Sequence, residues 1–273
     1  MHVGDLGRDT MTNPVLVDIN EHIATVTLNR PEKANAVSLG MFDALYEVGG
    51  ELAGNRNVRA VVLSGAGDNF CAGIDTSVFQ DPSFEFGEES LAPLDNTPAN
   101  RFQAAAYVWR EMPVPVICAM QGVAYGAGAQ IALGADLRFA SPGATLSVME
   151  IKWGLIPDLA ITTTLRDLLR IDKVKELGWT GRVVDAEEAL SLGLITSIYE
   201  DPHAAAVAFA DEVSRKSPDA IRAMKRLANE AWRMADPEAL ALEAKLQLGV
   251  LGGKNQQEAV AANLQKRMPE FDD

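Results

Sequence analysis

The sequence predicts an α/β fold, because short runs rich in β-branched residues alternate with stretches of helical periodicity. Four β-rich runs occur in the first half, at residues 15–19, 23–28, 58–64 and 114–120. A helix is predicted over residues 38–53, where the Ser38 side chain is suited to cap the first turn. After about residue 203 the pattern is helical, with good helix starts and amphipathic stripes.

Three regions are expected along the chain. Residues 1–12 mix Asp, Arg and Gly and are predicted to be a flexible N-terminal tail. Residues 13–200 carry the α/β pattern, and residues 201–273 form a C-terminal helical region. Within the core, residues 80–100 contain three prolines, several acids and little periodicity, which indicates an exposed, mobile loop of the kind that often borders a ligand.

Composition excludes several classes of function. The net charge is −14, so nucleic acid would be repelled, and no apolar run approaches the roughly 20 residues of a membrane span. Cys71 and Cys118 stand alone among apolar neighbours, which argues against disulfides and favours a reducing, cytoplasmic location. His2, His22 and His203 are far apart, so neither a metal site nor a Ser-His-Asp arrangement is expected.

Two turns rich in Gly and Ala follow predicted strands and lead into predicted helices. The first turn is DNFCAGID, residues 68–75, and the second turn is QGVAYGAGAQIALGAD, residues 121–136. Small residues let a ligand approach the backbone, and the first N–H groups of a helix favour negative charge. Tight packing of strand against helix is the alternative explanation for either turn alone. A dinucleotide fingerprint is excluded, because no third Gly follows Gly126-Ala127-Gly128 at the required spacing.

Together with SVMEIKWGLIPD, residues 147–158, the two turns resemble the crotonase superfamily, also called the enoyl-CoA hydratase/isomerase family. The resemblance covers nearly the whole chain, including LNRPEKANAVS at 28–38, GRVVDAEEALSLGLIT at 181–196 and KSPDAIRAMK at 216–225. It implies a crotonase-like spiral of ββα units over residues 13–200. It also implies that the C-terminal helices serve trimerisation, in a homotrimer or a dimer of trimers.

The resemblance implies an acyl-CoA thioester substrate, with coenzyme A as part of the substrate and no separate cofactor. In this family two backbone N–H groups bind the thioester oxygen, and the matching positions are Ile74 and Ala127. Only a backbone donor is needed, so Ala127 is acceptable where the family often has Gly. Two such donors in a water-poor site stabilise an enolate more than the ground-state carbonyl.

Acid/base chemistry requires a carboxylate near the substrate. Family hydratases use two glutamates; here Gln130 occupies the first position and Glu150 the second. Glu150 alone matches family isomerases, in which one carboxylate moves a proton from C2 to C4 of a 3-enoyl-CoA. Asp158 matches a second catalytic carboxylate of the family's dienoyl-CoA isomerases, or else caps the following helix.

Two alternatives to isomerisation stay open: a hydratase in which Glu150 activates water and Gln130 positions it, and a non-catalytic acyl-CoA-binding protein. The resemblance also implies a CoA-binding neighbourhood formed by Arg30, Lys33, Ala34, Ala72 and Asp75. Plain solvent exposure is the alternative for any single charge in this set. Asp136 is expected to hold structure by hydrogen bonding, and Cys71 to be a small buried filler rather than a nucleophile.

Overall fold

A computed structural model describes residues 13–80 and 87–273 of the chain. The predicted N-terminal tail, residues 1–12, lies outside the described residues, as do residues 81–86 of the predicted loop. The described remainder of that loop, from residue 87 to residue 98, consists of turns and is mostly exposed. Among the described residues, no helix is both long and apolar enough to cross a membrane.

The described residues form nine strands. They are β1 (Val15–Asn20), β2 (Ile23–Leu28), β3 (Ala60–Gly65), β4 (Val116–Met120), β5 (Val123–Tyr125), β6 (Leu137–Ala140), β7 (Thr145–Ser147), β8 (Val184–Asp185) and β9 (Ser197–Ile198). The larger sheet has the order β1-β2-β3-β4-β6-β9, in which β1 and β2 are antiparallel and the other neighbours are parallel. The smaller sheet has the order β5-β7-β8.

Ten α-helices connect and cover these strands in the described part of the chain. They are α1 (Leu39–Gly54), α2 (Arg101–Glu111), α3 (Ala127–Leu133), α4 (Ile161–Thr164), α5 (Ile171–Thr180), α6 (Ala186–Leu192), α7 (Pro202–Ser214), α8 (Pro218–Ala231), α9 (Asp236–Val250) and α10 (Lys254–Gln265). The chain passes from the larger sheet to the smaller one twice, as β4-β5 and as β6-β7, and a helical segment follows each passage.

The predicted elements form where the local signals place them, with small shifts at their starts. Ser38 caps α1, because its hydroxyl oxygen accepts a hydrogen bond from the Met41 N–H at 3.3 Å. β3 begins two residues later than predicted, since the Val58 N–H closes a turn onto Asn55 O. β4 likewise begins after Pro115, which has no N–H to donate to a sheet.

The larger sheet is covered on both faces, which explains the continuous apolar runs of β3 and β4. One face packs against α1, α2 and α3 in the main core, where Phe42 and Trp109 are among the largest fully buried side chains. The opposite face places Val62 and Ile117 against Ala206 of α7. The central strands are therefore rigidly held, and their carboxyl ends provide a fixed edge from which the two turns emerge.

Helices α7 to α10 occupy residues 202–265, in the predicted helical region. The Lys225 ammonium of α8 is buried and lies 2.7 Å from an Asp136 carboxylate oxygen, which also accepts the Val116 N–H at 2.7 Å. The structural role expected for Asp136 is confirmed. Large apolar side chains on this region are uncovered in the single chain, including Trp232 at 73% exposed and Leu264 at 81% exposed. Trimerisation through these helices stays a prediction.

Candidate active site

The first and second turns lie side by side beyond the carboxyl ends of β3 and β4. The Tyr125 N–H donates to Cys71 O, and the Cys71 N–H donates to Val123 O, each at 2.9 Å. Gly73 has φ of +105°, and a Cβ at this position would lie 3.0 Å from Tyr125 O and 3.9 Å from the Ala127 nitrogen. The structure therefore brings the backbones of the two turns into contact, and a side chain at Gly73 would separate them.

The backbone of Ile74 lies at the edge of this contact. Val37 forms a parallel bridge with Ile74, in which the Val37 N–H donates to Gly73 O and the Asp75 N–H donates to Val37 O. The bridge thus uses the carbonyl of Gly73 and the N–H of Asp75, and the N–H of Ile74 itself points away from Val37. Within residues 13–80 and 87–273, the Ile74 N–H has no acceptor.

The N–H of Ala127 begins helix α3. The helix follows Gly126, whose φ of 50° and ψ of −118° suit glycine alone, and whose own N–H donates to Ser147 O at 2.8 Å. The first N–H groups of a helix have no intrahelical acceptor, and the Ala127 N–H has none elsewhere in the described chain. Two adjoining turns thus each present an unpaired backbone donor.

The Glu150 carboxylate stands next to the second turn, at the start of the 3-10 helix Glu150–Trp153. Its Oε1 accepts a hydrogen bond from Gln130 Nε2 at 2.6 Å, and a Cβ at Gly126 would lie 3.3 Å from the same oxygen. Its Oε2 is buried and has no hydrogen-bond partner among the described residues. Burial raises the pKa of Glu150; its own backbone N–H and Gln130 act in the opposite direction, and the nearby Asp158 charge adds to the rise.

Gln130 lies one helical turn after Ala127 on α3 and is completely buried. Its side-chain oxygen accepts the Leu159 N–H at 2.9 Å, while its side-chain nitrogen donates to Glu150. One amide therefore joins three segments: helix α3, the Glu150 helix and the chain that follows Asp158. The sequence indicated this residue as the missing carboxylate and as a possible positioner of water, whereas its two contacts depend on the tertiary fold.

Asp158 does not cap a helix, so that sequence-based alternative is wrong. Helix α4 begins at Ile161 after Ala160, which has φ of 60° and provides no side-chain cap. Two residues of non-helical chain separate Asp158 from the helix, so its carboxylate cannot reach the first-turn N–H groups in the usual way. The residue as a whole is exposed, but the chain around its carboxyl group removes enough water to raise the pKa of Asp158.

The predicted CoA-binding residues cluster beside the first turn. The Ala72 N–H donates to Ala34 O at 2.9 Å, which joins the two backbone segments. The Arg30 guanidinium donates to an Asp75 carboxylate oxygen at 2.9 Å and to Ala36 O at 2.5 Å, so Arg30 is engaged inside the turn rather than free for a phosphate. Lys33 is exposed and is the available cation of this set.

Asp75 is ionised in this setting. Burial alone would raise the pKa of Asp75, but hydrogen bonds from Ser77 and the Arg30 guanidinium outweigh it and lower the pKa. The sequence analysis missed Asn35, which is completely buried and organises the first turn by donating to Ala66 O and Asn69 O. A polar residue between the alanines of KANAV was the available signal for such a role.

Cys71 is a buried structural residue, as expected. Its thiol donates to Asn35 O at 3.1 Å, and burial raises the pKa of Cys71 to about 12, which removes the thiolate needed of a nucleophile. No group of three or more His, Cys, Asp or Glu side chains in the described chain is arranged to hold a metal ion.

A cavity of about 960 Å³ in the described chain lies away from Glu150. Its lining includes Val58 and Val114, which precede β3 and β4, so it opens at the amino ends of the strands. The carboxylates and the two unpaired N–H groups lie at the opposite, carboxyl ends, where ligands of open α/β sheets usually bind. The region beside the two turns is therefore the candidate active site, and this cavity is not.

Comparison with known proteins gives a consistent result. The sequence profile of the enoyl-CoA hydratase/isomerase family matches residues 18–273. An enoyl-CoA hydratase/isomerase of Bacillus subtilis is 34% identical over 251 residues, covering 91% of this chain and 94% of the relative. The human mitochondrial Δ(3,5)-Δ(2,4)-dienoyl-CoA isomerase is 32% identical over 212 residues, covering 75% of this chain and 65% of the relative. The crystal structure of an enoyl-CoA hydratase from Bacillus anthracis superimposes with a TM-score of 0.84 at 27% identity, covering 94% of this chain and 98% of that chain.

Proposed function

Because the chain belongs to the enoyl-CoA hydratase/isomerase family and has its crotonase fold, we propose that it shifts a carbon–carbon double bond along an acyl-CoA thioester. The observation that carries this proposal is that the partly buried carboxylate of Glu150 is paired with the neutral amide of Gln130 and not with a second glutamate. Hydration in this family uses two glutamates, whereas a double-bond shift needs one group that takes a proton from one carbon and returns it to another.

The oxyanion hole is assigned to the N–H groups of Ile74 and Ala127. Neither N–H has another acceptor among the described residues, which supports this assignment, since both donors are available for a thioester oxygen. Removing a proton from C2 converts the thioester to an enolate, and the negative charge develops on that oxygen. Each preorganised donor lowers the barrier by about 3 kcal/mol in comparable sites.

Glu150 is the proposed proton carrier. Its Oε2 is buried and has no hydrogen-bond partner in the described chain. Burial also raises the pKa of Glu150 toward neutral pH, where a group that takes and returns a proton works best. In the proposed reaction Oε2 takes the C2 proton of a 3-enoyl-CoA, the double bond moves to C2–C3, and the same proton returns to C4. No atom is gained or lost by the substrate.

Asp158 is the proposed second carboxylate for a longer conjugated substrate. Its charge acts on Glu150, which supports a location near the same reacting chain, and its alternative role as a helix cap is removed. One relative is named a dienoyl-CoA isomerase, which supports testing a 3,5-dienoyl-CoA. In that substrate the proton would be returned further from the thioester, where a second carboxylate is useful.

The CoA portion of the substrate is assigned to the neighbourhood of the first turn. Lys33 is the exposed cation for a phosphate, and the backbones of Ala34 and Ala72 form the adjoining surface. Arg30 and Asp75 maintain this surface through their ion pair. We further propose a homotrimer or a dimer of trimers, in which another copy covers the exposed apolar side chains of the C-terminal helices.

The test compares matched 2-enoyl-, 3-enoyl- and 3,5-dienoyl-CoA substrates, with products separated by chromatography and weighed by mass spectrometry. We expect isomers of unchanged mass from the 3-enoyl or 3,5-dienoyl substrate. A product heavier by one water as the dominant outcome would establish a hydratase instead. Binding of all three substrates without turnover would establish a non-catalytic acyl-CoA-binding protein.

A further inference from the structure

We propose that Gln130 is a positioning residue that leaves Glu150 a single reactive oxygen, Oε2, and ties the Asp158 segment to the oxyanion-hole helix. The inference rests on the proposed role of Glu150 as the proton carrier. Gln130 itself touches no reacting atom in this scheme, and it acts through Glu150 and through the backbone at Leu159.

The orientation of the Gln130 amide follows from its two contacts. The Leu159 N–H can only donate, so the amide oxygen must face it, at 2.9 Å. The amide nitrogen must then face Glu150, where it donates to Oε1 at 2.6 Å. The Gln130 side chain is completely buried, and reversing its amide would place donor against donor at Leu159 and acceptor against acceptor at Glu150. The orientation of the amide is therefore fixed.

A fixed donor at Oε1 decides which Glu150 oxygen carries a proton. Because Oε1 accepts the hydrogen bond from the Gln130 amide, a proton taken by the carboxylate resides on the other oxygen, Oε2. Oε2 is also the buried oxygen with no partner within the described residues. The amide thereby holds the plane of the carboxylate, which reduces the geometric freedom of the base.

The second contact connects the two carboxylates to the oxyanion hole. Gln130 and Ala127 lie on the same short helix, one turn apart, so the helix that presents a hole N–H also carries the support for Glu150. The Leu159 N–H bond holds the residue next to Asp158, just before Ala160 enters its left-handed conformation. A change at Gln130 should therefore disturb the carboxylates of Glu150 and Asp158 while the N–H groups of the oxyanion hole stay in place.

Replacing Gln130 by Glu tests the arrangement most directly. One carboxylate oxygen would still accept the Leu159 N–H, but the other would face Glu150 Oε1 as a second acceptor. Two carboxylate oxygens at this separation are held together only by a shared proton, which raises the pKa of the pair. Gln130→Met, of similar length, removes both contacts and leaves Oε1 and the Leu159 N–H without a partner.

The experiment measures the pH dependence of kcat/KM for wild type, Gln130→Glu and Gln130→Met on the best substrate. We expect the acidic limb to move upward by about one pH unit or more in Gln130→Glu, and by less in Gln130→Met. In Gln130→Met, kcat should fall about 10- to 100-fold with KM nearly unchanged, since the side-chain hydrogen bonds of Gln130 go to Glu150 and Leu159 and not to the residues assigned to CoA. The matched control is Asn255→Leu. It replaces a buried side chain that donates to Asp219 of α8 and to Asp272 near the C-terminus, and it should lower only Tm.

A second readout does not depend on turnover. Selective ¹³C labelling of Glu carboxyl carbons, with the Glu150 signal assigned by its loss in Glu150→Gln, follows the titration of Glu150 without substrate. An upward shift in Gln130→Glu supports the inference even if the reaction proves to be hydration. An unshifted Glu150 titration and an unshifted acidic limb in Gln130→Glu would overturn it, whatever the loss in Tm. If Gln130→Met does not fold, Gln130→Glu alone decides, because it keeps the Leu159 contact.

Discussion

Replacing Glu150 by Gln separates proton transfer from binding and is the most direct test of the proposed mechanism. The change keeps the shape of the side chain, and its amide oxygen can still accept the Gln130 N–H at the position now held by Oε1. What is lost is the ability of the Oε2 position, buried and unpaired in the described chain, to take and return a proton. The surrounding fold has no other reason to change.

The magnitude follows from the role of a general base. Such a group contributes about 10² to 10⁴ in rate, which corresponds to roughly 3 to 5 kcal/mol in barrier height. Because Gln130 is neutral, the structure offers no adjacent carboxylate in the position of a second family glutamate, so we expect a loss near the upper end, at least about 10³-fold in kcat. KM should change by less than about threefold, since the residues proposed to bind CoA are untouched.

The assay follows double-bond migration in ²H₂O by mass spectrometry, which also records exchange of substrate protons with solvent. The matched control is Glu212→Gln, the same chemical change on the exposed surface of α7, where only a 3.8 Å contact with Lys216 is lost. If Glu150→Gln kept turnover within about tenfold of wild type and exchanged substrate protons normally, Glu150 would be removed from the mechanism.

Four further predictions concern the same site and its support. Asp158→Asn should reduce turnover of a 3,5-dienoyl-CoA by about 10²-fold and that of a 3-enoyl-CoA far less, and equal losses in parallel assays would refute a separate role. The kcat/KM profile of wild type should rise with pH through a limb centred above about 4.3, because burial raises the pKa of Glu150 and the ionised form is the base. Gly126→Ala should lower kcat/KM about 10- to 100-fold, since it adds about 1–3 kcal/mol of backbone strain at φ of 50° and a Cβ 3.3 Å from Glu150 Oε1. Lys225→Met should lower the free energy of unfolding by about 3 kcal/mol in denaturant titration by leaving Asp136 without its cation, while kcat per folded enzyme stays unchanged.

The raised pKa of Glu150 also has a consequence for stability. A carboxyl group whose pKa is higher in the folded state binds more protons there than in the unfolded state. Its contribution to the free energy of unfolding therefore falls as pH rises from the unfolded to the folded pKa, and it is constant above that window. Glu150→Gln should reduce this pH dependence, which differential scanning calorimetry across the window would show.

Local patterns in the sequence predicted four of the nine strands in the described chain, the main helix and the two turns. Continuous β-branched runs identified β3 and β4, and Ser38 identified the start of α1, because these signals act between residues close in the chain. The structural roles predicted for Cys71 and Asp136 were also confirmed, because an isolated thiol and a polar residue between a helix and a strand can form few other contacts.

Local patterns failed where two distant segments decide the outcome. An Asp followed by an apolar run, as at Asp158, is a common helix start. Here the Leu159 N–H binds Gln130 on α3 and Ala160 has a left-handed backbone conformation, so the helix begins only at Ile161. Arg30 was expected in the CoA-binding neighbourhood, which stays a prediction, but the ion pair that it forms with Asp75, 45 residues away, was not foreseen. Neither contact has a signature within its own segment.

The sequence by itself determined the α/β order of elements, the two turns with small residues and the carboxylate at Glu150, because hydrophobic period, glycine and capping residues act locally. Only the tertiary structure decided that the Gln130 amide binds Glu150 on one side and Leu159 on the other, and that Glu150 Oε2 is left buried without a partner in the described chain. Burial and hydrogen-bond partners arise from segments far apart in sequence, and those two quantities set the pKa and direction of a catalytic carboxylate.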